Sequence, residues 1–460
     1  MMSLRSFGLV FLLGLPAWCA AAAPGPVPVG AARVDVTPEL PIQLAGYQQR
    51  TTEADRIAMP LTARALAIGT DADGVSVLVA AEVIAVSEAI SDAVAAALRA
   101  KHGIPRERVA VVATHQHNGP AIAGTIPFMF SRDLPPVAQA RIDRYAAMLE
   151  KKLIEVALAA VAARQPAQLA WAQGKATFAV NRRKLVDGKW TGYTDQPGLG
   201  GPVDHALPVL RAADARGGVR AVLMNYACHC TVLKGGDNYV HADWAGEAAK
   251  QVEAAHPGAV ALVSIGCGAD SDPQPRGLPE TVKHGATVAA EVARLLQGPM
   301  RPVGRVTHAQ FRQLDIPLAR TVTREELETR RKGRTNVAYA ANQFLKLLDA
   351  GKPLPAGIRY PVQTWTFGSE FAMVFLGGEV VAEYGLRLKR ELGADRVWTT
   401  AYANHVPCYI PSAQVLAEGG YEAENAMDYY GLPTRLAPDV EERIVAAVHA
   451  LLPADFKAAR

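Results

Sequence analysis

VAVVATHQHNGP, residues 109–120, joins an unbroken apolar run to two histidines one residue apart. A short run of this kind reads as a strand buried on both faces, so the histidines stand where such a strand leaves the core. In extended chain, residues i and i+2 point to the same face. His115 and His117 are therefore expected to project together beyond the strand end. That is the signature of a metal site or of a polar patch, and the rest of the chain has to decide between them.

Similar apolar runs recur at 75–83 (VSVLVAAEV), 219–227 (VRAVLMNYA), 258–266 (GAVALVSIG) and 371–377 (FAMVFLG). Between them lie segments of helical period at 87–103, 137–164, 244–255, 279–296, 325–350, 380–392 and 439–452; the first begins on a serine cap and stops at a glycine. Strands interleaved with helices predict an α/β fold, a layered mixed sheet with flanking helices and the site at strand ends. No fixed-period repeat or low-complexity segment interrupts the pattern. The Gly- and Asp-rich stretch LVDGKWTGYTDQPGLGG at 185–201 reads as a surface excursion over the site, and the helical stretch 321–357 as an elaboration on one catalytic domain spanning 24–460.

Half of the 460 residues are apolar and the formal charge is only +4, without a Lys/Arg block. The balance gives no electrostatic case for nucleic acid or an anionic membrane, which leaves a small molecule as the expected partner. Arg5, an apolar stretch at 7–18 and a small-residue run before Pro24 form the three-part pattern of a secretory signal over 1–23, with cleavage expected near Ala22 or Ala23. The apolar part is too short for a spanning anchor, so a secreted or periplasmic protein is expected. Beyond that segment only Cys228, Cys230, Cys267 and Cys408 occur, too few for a disulfide scaffold. On a strand, Cys228 and Cys230 would face away from His229, which argues against a Cys/His metal cluster there.

Polar residues gather where the apolar runs stop: THQHNGP after one, His229 at the end of another, GCGADSDPQPRG (266–277) after a third, and Glu379 after a fourth. Sites in open α/β sheets form outside the carboxyl ends of strands, so these clusters are expected to converge. Two neutral imidazoles and a carboxylate bind zinc and leave a position for water, whose pKa the ion lowers to about 7. His115, His229 and Glu379 supply that set. Each has a plainer reading alone: a strand-end histidine is commonly a hydrogen-bonded surface residue, and Glu379 could sit at the N-terminus of the helix from 380, favoured by its dipole.

Taken in order, the motifs resemble those of the neutral (non-lysosomal) ceramidase family, zinc amidases that split ceramide into a sphingoid base and a fatty acid. ARVDVTPELPIQLAGYQ (32–48) resembles its Asp-x-Thr-Pro opening and Gly-Tyr; THQHNGP its Thr-His-x-His-x-Gly-Pro; NRRK at 181 its Asn-Arg-Ser-Pro; and VDHALPVLR at 203 its Val-Asp segment. NYACHCTVL resembles the strand of the second histidine, GADSDP the Gly-Asp-x-Ser-Pro loop, GGEVVAEYGLRLKR the Gly-Glu helix, and YANHVPCYIPSAQVLAEGGYEA (402–423) the segment with a tyrosine ligand. The resemblance implies one zinc ion held by His115, His229, Glu379 and Tyr409. It also implies that His117 lines the site without binding metal, that Arg182 and Tyr421 hold the developing oxyanion, and that Ser271 is a positioning group. His117 or Tyr409 would deliver a proton to the leaving amine.

The sequence departs from the family at NRRK, GADSDP and YIPS, and the family's C-terminal β-sandwich domain has no counterpart before Arg460. The expected function is thus a secreted zinc-dependent amidohydrolase of ceramide-like lipids, with membrane or micelle contact. The alternative is the same centre acting on another extracellular amide, ester or glycan derivative, because substrate choice lives in loops. A non-catalytic binding protein is the rival from another class. A serine or cysteine hydrolase through Ser271 or Cys228 is disfavoured by the absence of a Gly-x-Ser-x-Gly elbow.

Overall fold

Along the strand Thr62–Ile68, Ala63, Ala65 and Ala67 face one side, Leu66 and Ile68 the other, and all are buried. A strand buried on both faces needs a layer on each, and the computed structural model, which describes residues 24–458, supplies them. The expected signal segment at 1–23 lies outside the described residues.

The large sheet runs from Val260–Ile265 through Val219–Tyr226, Ala206–Ala213, Gln165–Lys175, Val27–Asp35, Thr62–Ile68 and Ser76–Ala81 to Val109–Ala113, with Arg301–Val303 paired to Gln165–Lys175. It is mixed: the pairs at its two ends are parallel and the inner ones antiparallel. A second sheet orders His308–Pro317, Gly357–Phe367, Phe371–Leu376 and Val397–Thr400. Phe371, Met373 and Phe375 point into the core between the sheets with Leu66, Leu78, Trp171 and Trp398. Their neighbours Ala372, Val374 and Leu376 turn outward, into the core that holds Tyr384, Leu388, Ile444 and Val448 from the helices Ala382–Leu392 and Val440–Leu451. The outer face of the large sheet is covered by Glu88–His102, Pro136–Ala162, Asp243–Ala255 and Leu278–Gln297. Four layers result, helix–sheet–sheet–helix. No helix among the described residues is long and apolar enough to cross a membrane.

All five expected strands are present. Eight further strands of the two sheets were not legible, among them Val27–Asp35 and Gln165–Lys175, which carry glycine, proline and charge. Gly30 shows why: a Cβ there would lie 2.1 Å from the Ala160 carbonyl oxygen, so the long helix crosses the strand where only glycine fits. The helix expected at 325–350 is two, Arg324–Arg330 and Thr335–Asp349, broken at Gly333, a residue poor in helix interiors. The helix expected from 380 begins at Ala382, whose N–H is capped by Asp270 Oδ1 at 2.9 Å. Glu379 is therefore no helix residue. It lies in the short strand Glu379–Val380, paired in parallel with Tyr409–Ile410. The 185–201 excursion opens with an ordered hairpin, Arg183–Val186 with Lys189–Tyr193.

Candidate active site

The chain leaves strand Val109–Ala113 by a sharp turn, with His115 at φ +54°. The extended geometry expected for THQHNGP is thus absent. The two histidines still converge, through the left-handed residue instead of strand alternation, and their Nε2 atoms lie 3.2 Å apart. Gly46 makes room for this: a Cβ there would fall 2.5 Å from the His117 ring. His229 stands three residues past the end of strand Val219–Tyr226, its N–H donating to the Ser271 carbonyl at 2.9 Å. The three imidazoles bring one nitrogen each within 4.8 Å of one another.

Glu379 completes the group. Its Oε2 lies 3.1 Å from His115 Nε2 and 3.3 Å from His229 Nε2, all three side chains buried. The other oxygen, Oε1, accepts a hydrogen bond from the Tyr430 hydroxyl. The parallel register places Tyr409 directly opposite Glu379, and its hydroxyl accepts from Arg182 Nη2 at 3.1 Å.

The tautomers follow from the outer partners. His115 Nδ1 lies 2.7 Å from the Ile84 carbonyl oxygen and His229 Nδ1 3.1 Å from that of Gly268. A carbonyl only accepts, so both Nδ1 atoms carry the proton and, in the neutral rings, both Nε2 lone pairs face inward. Burial lowers the pKa of His229, with the Arg182 charge adding to it, which favours the neutral ring. Burial, with the neighbouring histidines, holds His117 well below the usual imidazole range. Burial raises Glu379, and the charge and N–H donation of the facing imidazoles, present when those rings are protonated, outweigh it and hold the carboxyl well below the usual range. Tyr409 is pushed well up by burial and by Glu379, with Arg182 opposing. His229 Nε2 and Glu379 Oε2 have no hydrogen-bond partner although buried. Lone pairs of two neutral imidazoles aimed at a carboxylate oxygen repel one another unless a cation lies between them. The donor set thus fits a metal ion.

These groups open onto a cavity of about 780 Å³. His115, His117, Arg182, Glu379, Tyr409 and Tyr421 are on its wall; His229 lies behind it, and Ser271 does not reach it. Ser271 Oγ is buried without a partner, while its neighbour Asp272 faces the cavity. Arg182 is fixed on three sides: Nε to Glu422 Oε1 at 2.9 Å, Nη1 to Asp272 Oδ1 at 3.2 Å, and Nη2 to Tyr409. Each Nη keeps a second hydrogen. The adjacent Arg183, buried, grips Glu422 at 2.6 Å and Glu418 at 2.9 Å. The two arginines of NRRK thus share one carboxylate. Tyr193, Thr194 and Asp195 of the 185–201 excursion close one side, as the sequence predicts. The four cysteines among the described residues are buried and free.

Sequence reasoning did not identify Tyr430, Asp272, Tyr47 or Tyr402, whose ring stacks on His115 at 4.3 Å. No spacing signals them: Tyr430 meets Glu379 from 51 positions away.

Solved structures of similar fold are known. The crystal structure of neutral ceramidase from Pseudomonas aeruginosa superposes with TM-score 0.67 at 19% identity, covering 94% of this chain and 75% of that one. A ceramidase complexed with C2 gives 0.68 at 18%, with 93% and 76% covered. At such identity the likeness is one of fold. No curated protein matches. Residues 28–269, more than half of the chain, match the family described as neutral/alkaline non-lysosomal ceramidase, N-terminal, and on that match the chain belongs to this family.

Proposed function

We propose that the protein is an exported zinc-dependent amidohydrolase that cleaves the N-acyl bond of ceramide-like lipids. The single observation that carries the reading is the pair of inward-facing imidazole nitrogens, of His115 and His229, meeting one buried carboxylate oxygen of Glu379 on the edge of an open cavity, with His229 Nε2 and Glu379 Oε2 left without a hydrogen-bond partner. His115, His229, Glu379 and Tyr409 would hold the ion. When bound, it supplies Lewis-acid polarisation of the carbonyl and a more acidic water.

The chain's own residues do the rest. His117, neutral and on the cavity wall, takes the proton of the attacking water and returns it to the leaving nitrogen. Arg182 and the Tyr421 phenol meet the carbonyl oxygen as negative charge develops, and Glu422 and Asp272 keep the guanidinium from turning away. Ser271 acts only through its backbone, by fixing His229.

Metal analysis of the purified protein, with ceramide turnover before and after chelation, tests the reading. Stoichiometric zinc and turnover restored by zinc are expected; full activity in metal-free protein would reject it. Export rests on the 1–23 segment, and N-terminal sequencing of the protein from cells is expected to begin near Ala23 or Pro24.

A second reading keeps the chemistry and changes the amine half of the substrate. Thr231, Lys234, Gln274 and Arg276 line one side of the cavity, where a neutral hydroxymethyl headgroup needs no cation. Faster cleavage of N-acyl amino acids than of ceramide would select it.

A further inference from the structure

One side of the cavity is apolar, and it is built in an unusual way. Ile126 and Met129 line it, both nearly buried, from the segment 121–133 that follows the histidine turn. Ile126 has φ +43° and precedes Pro127. A β-branched residue in the left-handed region is a steric outlier, and the residue before proline is disfavoured in helical conformations as well. Ser131, at φ +50°, is a second left-handed position only five residues on. Strain of this kind persists only where the surroundings over-determine the backbone, and it gathers at ligand-contacting segments.

The surroundings here are the helix pair Arg324–Arg330 and Thr335–Asp349, the elaboration to which the sequence assigns no role. Phe128 packs against its buried cluster, edge-on to Tyr339 at 5.6 Å and to Phe344 at 5.8 Å. The Tyr339 hydroxyl donates to Asp133 Oδ1 at 2.7 Å. From the cavity side, the Gly46 N–H reaches Met129 Sδ at 3.1 Å, and Gly46 itself touches the His117 ring. The same helices hold the opposite segment: Arg330 binds Asp428 Oδ1 at 2.5 Å and the Pro433 carbonyl at 2.6 Å, and the Phe128 N–H donates to the Tyr429 carbonyl at 2.9 Å. The wall is therefore pinned from behind as well as in front and cannot retreat from a ligand.

We propose that the 121–133 segment, braced by this helix pair, is the wall that limits acyl-chain length, with Ile126 and Met129 meeting the end of the chain. This rests on the amidohydrolase reading. The acyl half belongs on this side because Ile126 and Met129 offer it apolar surface, whereas Thr231, Lys234 and Arg276 are polar lining groups that an acyl chain would leave unpaired. A contact that admits or rejects one methylene in an apolar pocket changes kcat/KM by roughly 10- to 200-fold.

The test compares wild type with Ile126→Ala, Ile126→Gly and Met129→Ala on N-acyl sphingosines of short, medium and long acyl chain, and on one acyl chain carried by bases of different length. Glycine accepts the left-handed backbone, so Ile126→Gly is expected to stay folded with its wall shortened. The same proteins are titrated with free fatty acids of graded length by displacement of a fluorescent fatty acid, a readout that needs no turnover. A rise of roughly 10-fold or more in the long-to-short kcat/KM ratio, matched by a shift of fatty-acid affinity toward longer chains, is expected. Unchanged ratios and affinities in folded variants overturn the proposal, as does a shift that follows base length instead of acyl length. If wild type turns over no N-acyl lipid, the hydrolase reading fails, and the fatty-acid series alone decides the wall.

Discussion

Glu379 is the residue on which the candidate centre turns, because one of its oxygens meets two histidines while the other is held by the Tyr430 hydroxyl. That hydroxyl is a positioning group: without it the carboxylate can rotate away from the imidazoles. Groups that orient metal ligands are worth about 10- to 100-fold in metal affinity or activity. Tyr430→Phe is expected to weaken zinc binding by that factor in competition with a chromophoric chelator, with the fold intact by circular dichroism. Arg182 is expected to behave differently. Arg182→Ala removes a fixed cation beside Tyr409 without removing a candidate metal contact, so zinc stoichiometry is retained while kcat falls by roughly 100- to 1,000-fold. Wild-type kcat in zinc-loaded Arg182→Ala protein would end its assignment.

At the scale of elements, short strands do the positioning. Glu379–Val380 and Tyr409–Ile410 fix two candidate ligands side by side, and Ser271–Pro273 pairs with Ala179–Asn181 so that Asp272 meets Arg182. Such two- and three-residue strands have no stability of their own and depend on buried polar contacts. The Arg182–Glu422–Arg183–Glu418 chain is the main one, joining the 183–193 hairpin to the segment that carries Tyr421. Removing one partner of a buried ion pair leaves an uncompensated charge and costs about 3–5 kcal/mol. Arg183→Ala is therefore expected to lower unfolding free energy by that order in a urea titration, although Arg183 is not on the cavity wall. A loss under about 1 kcal/mol, the value of an exposed pair, would show that the network carries little.

For the whole molecule, a half-buried and a buried acid at the start of the helix Ala382–Leu392, Glu383 and Asp270, make stability depend on pH. Burial, opposed by the Ser412 hydroxyl and reinforced by Asp270, Glu418 and Glu441, raises the Glu383 pKa to about 7. Burial raises Asp270 to about 6 against its hydrogen bonds to Ala382 and Asn181. A carboxyl whose folded pKa lies above its unfolded value is protonated more in the native state. Its contribution is most favourable below the unfolded pKa and declines as pH rises through the folded one. Glu383→Gln is expected to flatten the fall in melting temperature between about pH 4.5 and 7. An identical pH profile in wild type and variant would contradict the assignment.

The interleaving of apolar runs and amphipathic segments determined the α/β class, and the motif order determined the family, because periodicity and local spacing are properties of consecutive residues. THQHNGP, NRRK and GGE likewise singled out His115, Arg182 and Glu379, which line one cavity. What the chain could not show is anything that depends on meeting across distance: the left-handed turn that joins His115 to His117, the register that sets Glu379 beside Tyr409, the Tyr430 hydroxyl on Glu379, and the burial of the Ser271 hydroxyl away from the cavity. The plainer alternative for Glu379, a helix N-terminal residue, stayed open for the same reason, since the partner that makes it a strand residue lies 30 positions later. Those contacts were decided only when two sheets packed face to face and brought strand ends and loops to one edge, where burial selects tautomer, charge and orientation together.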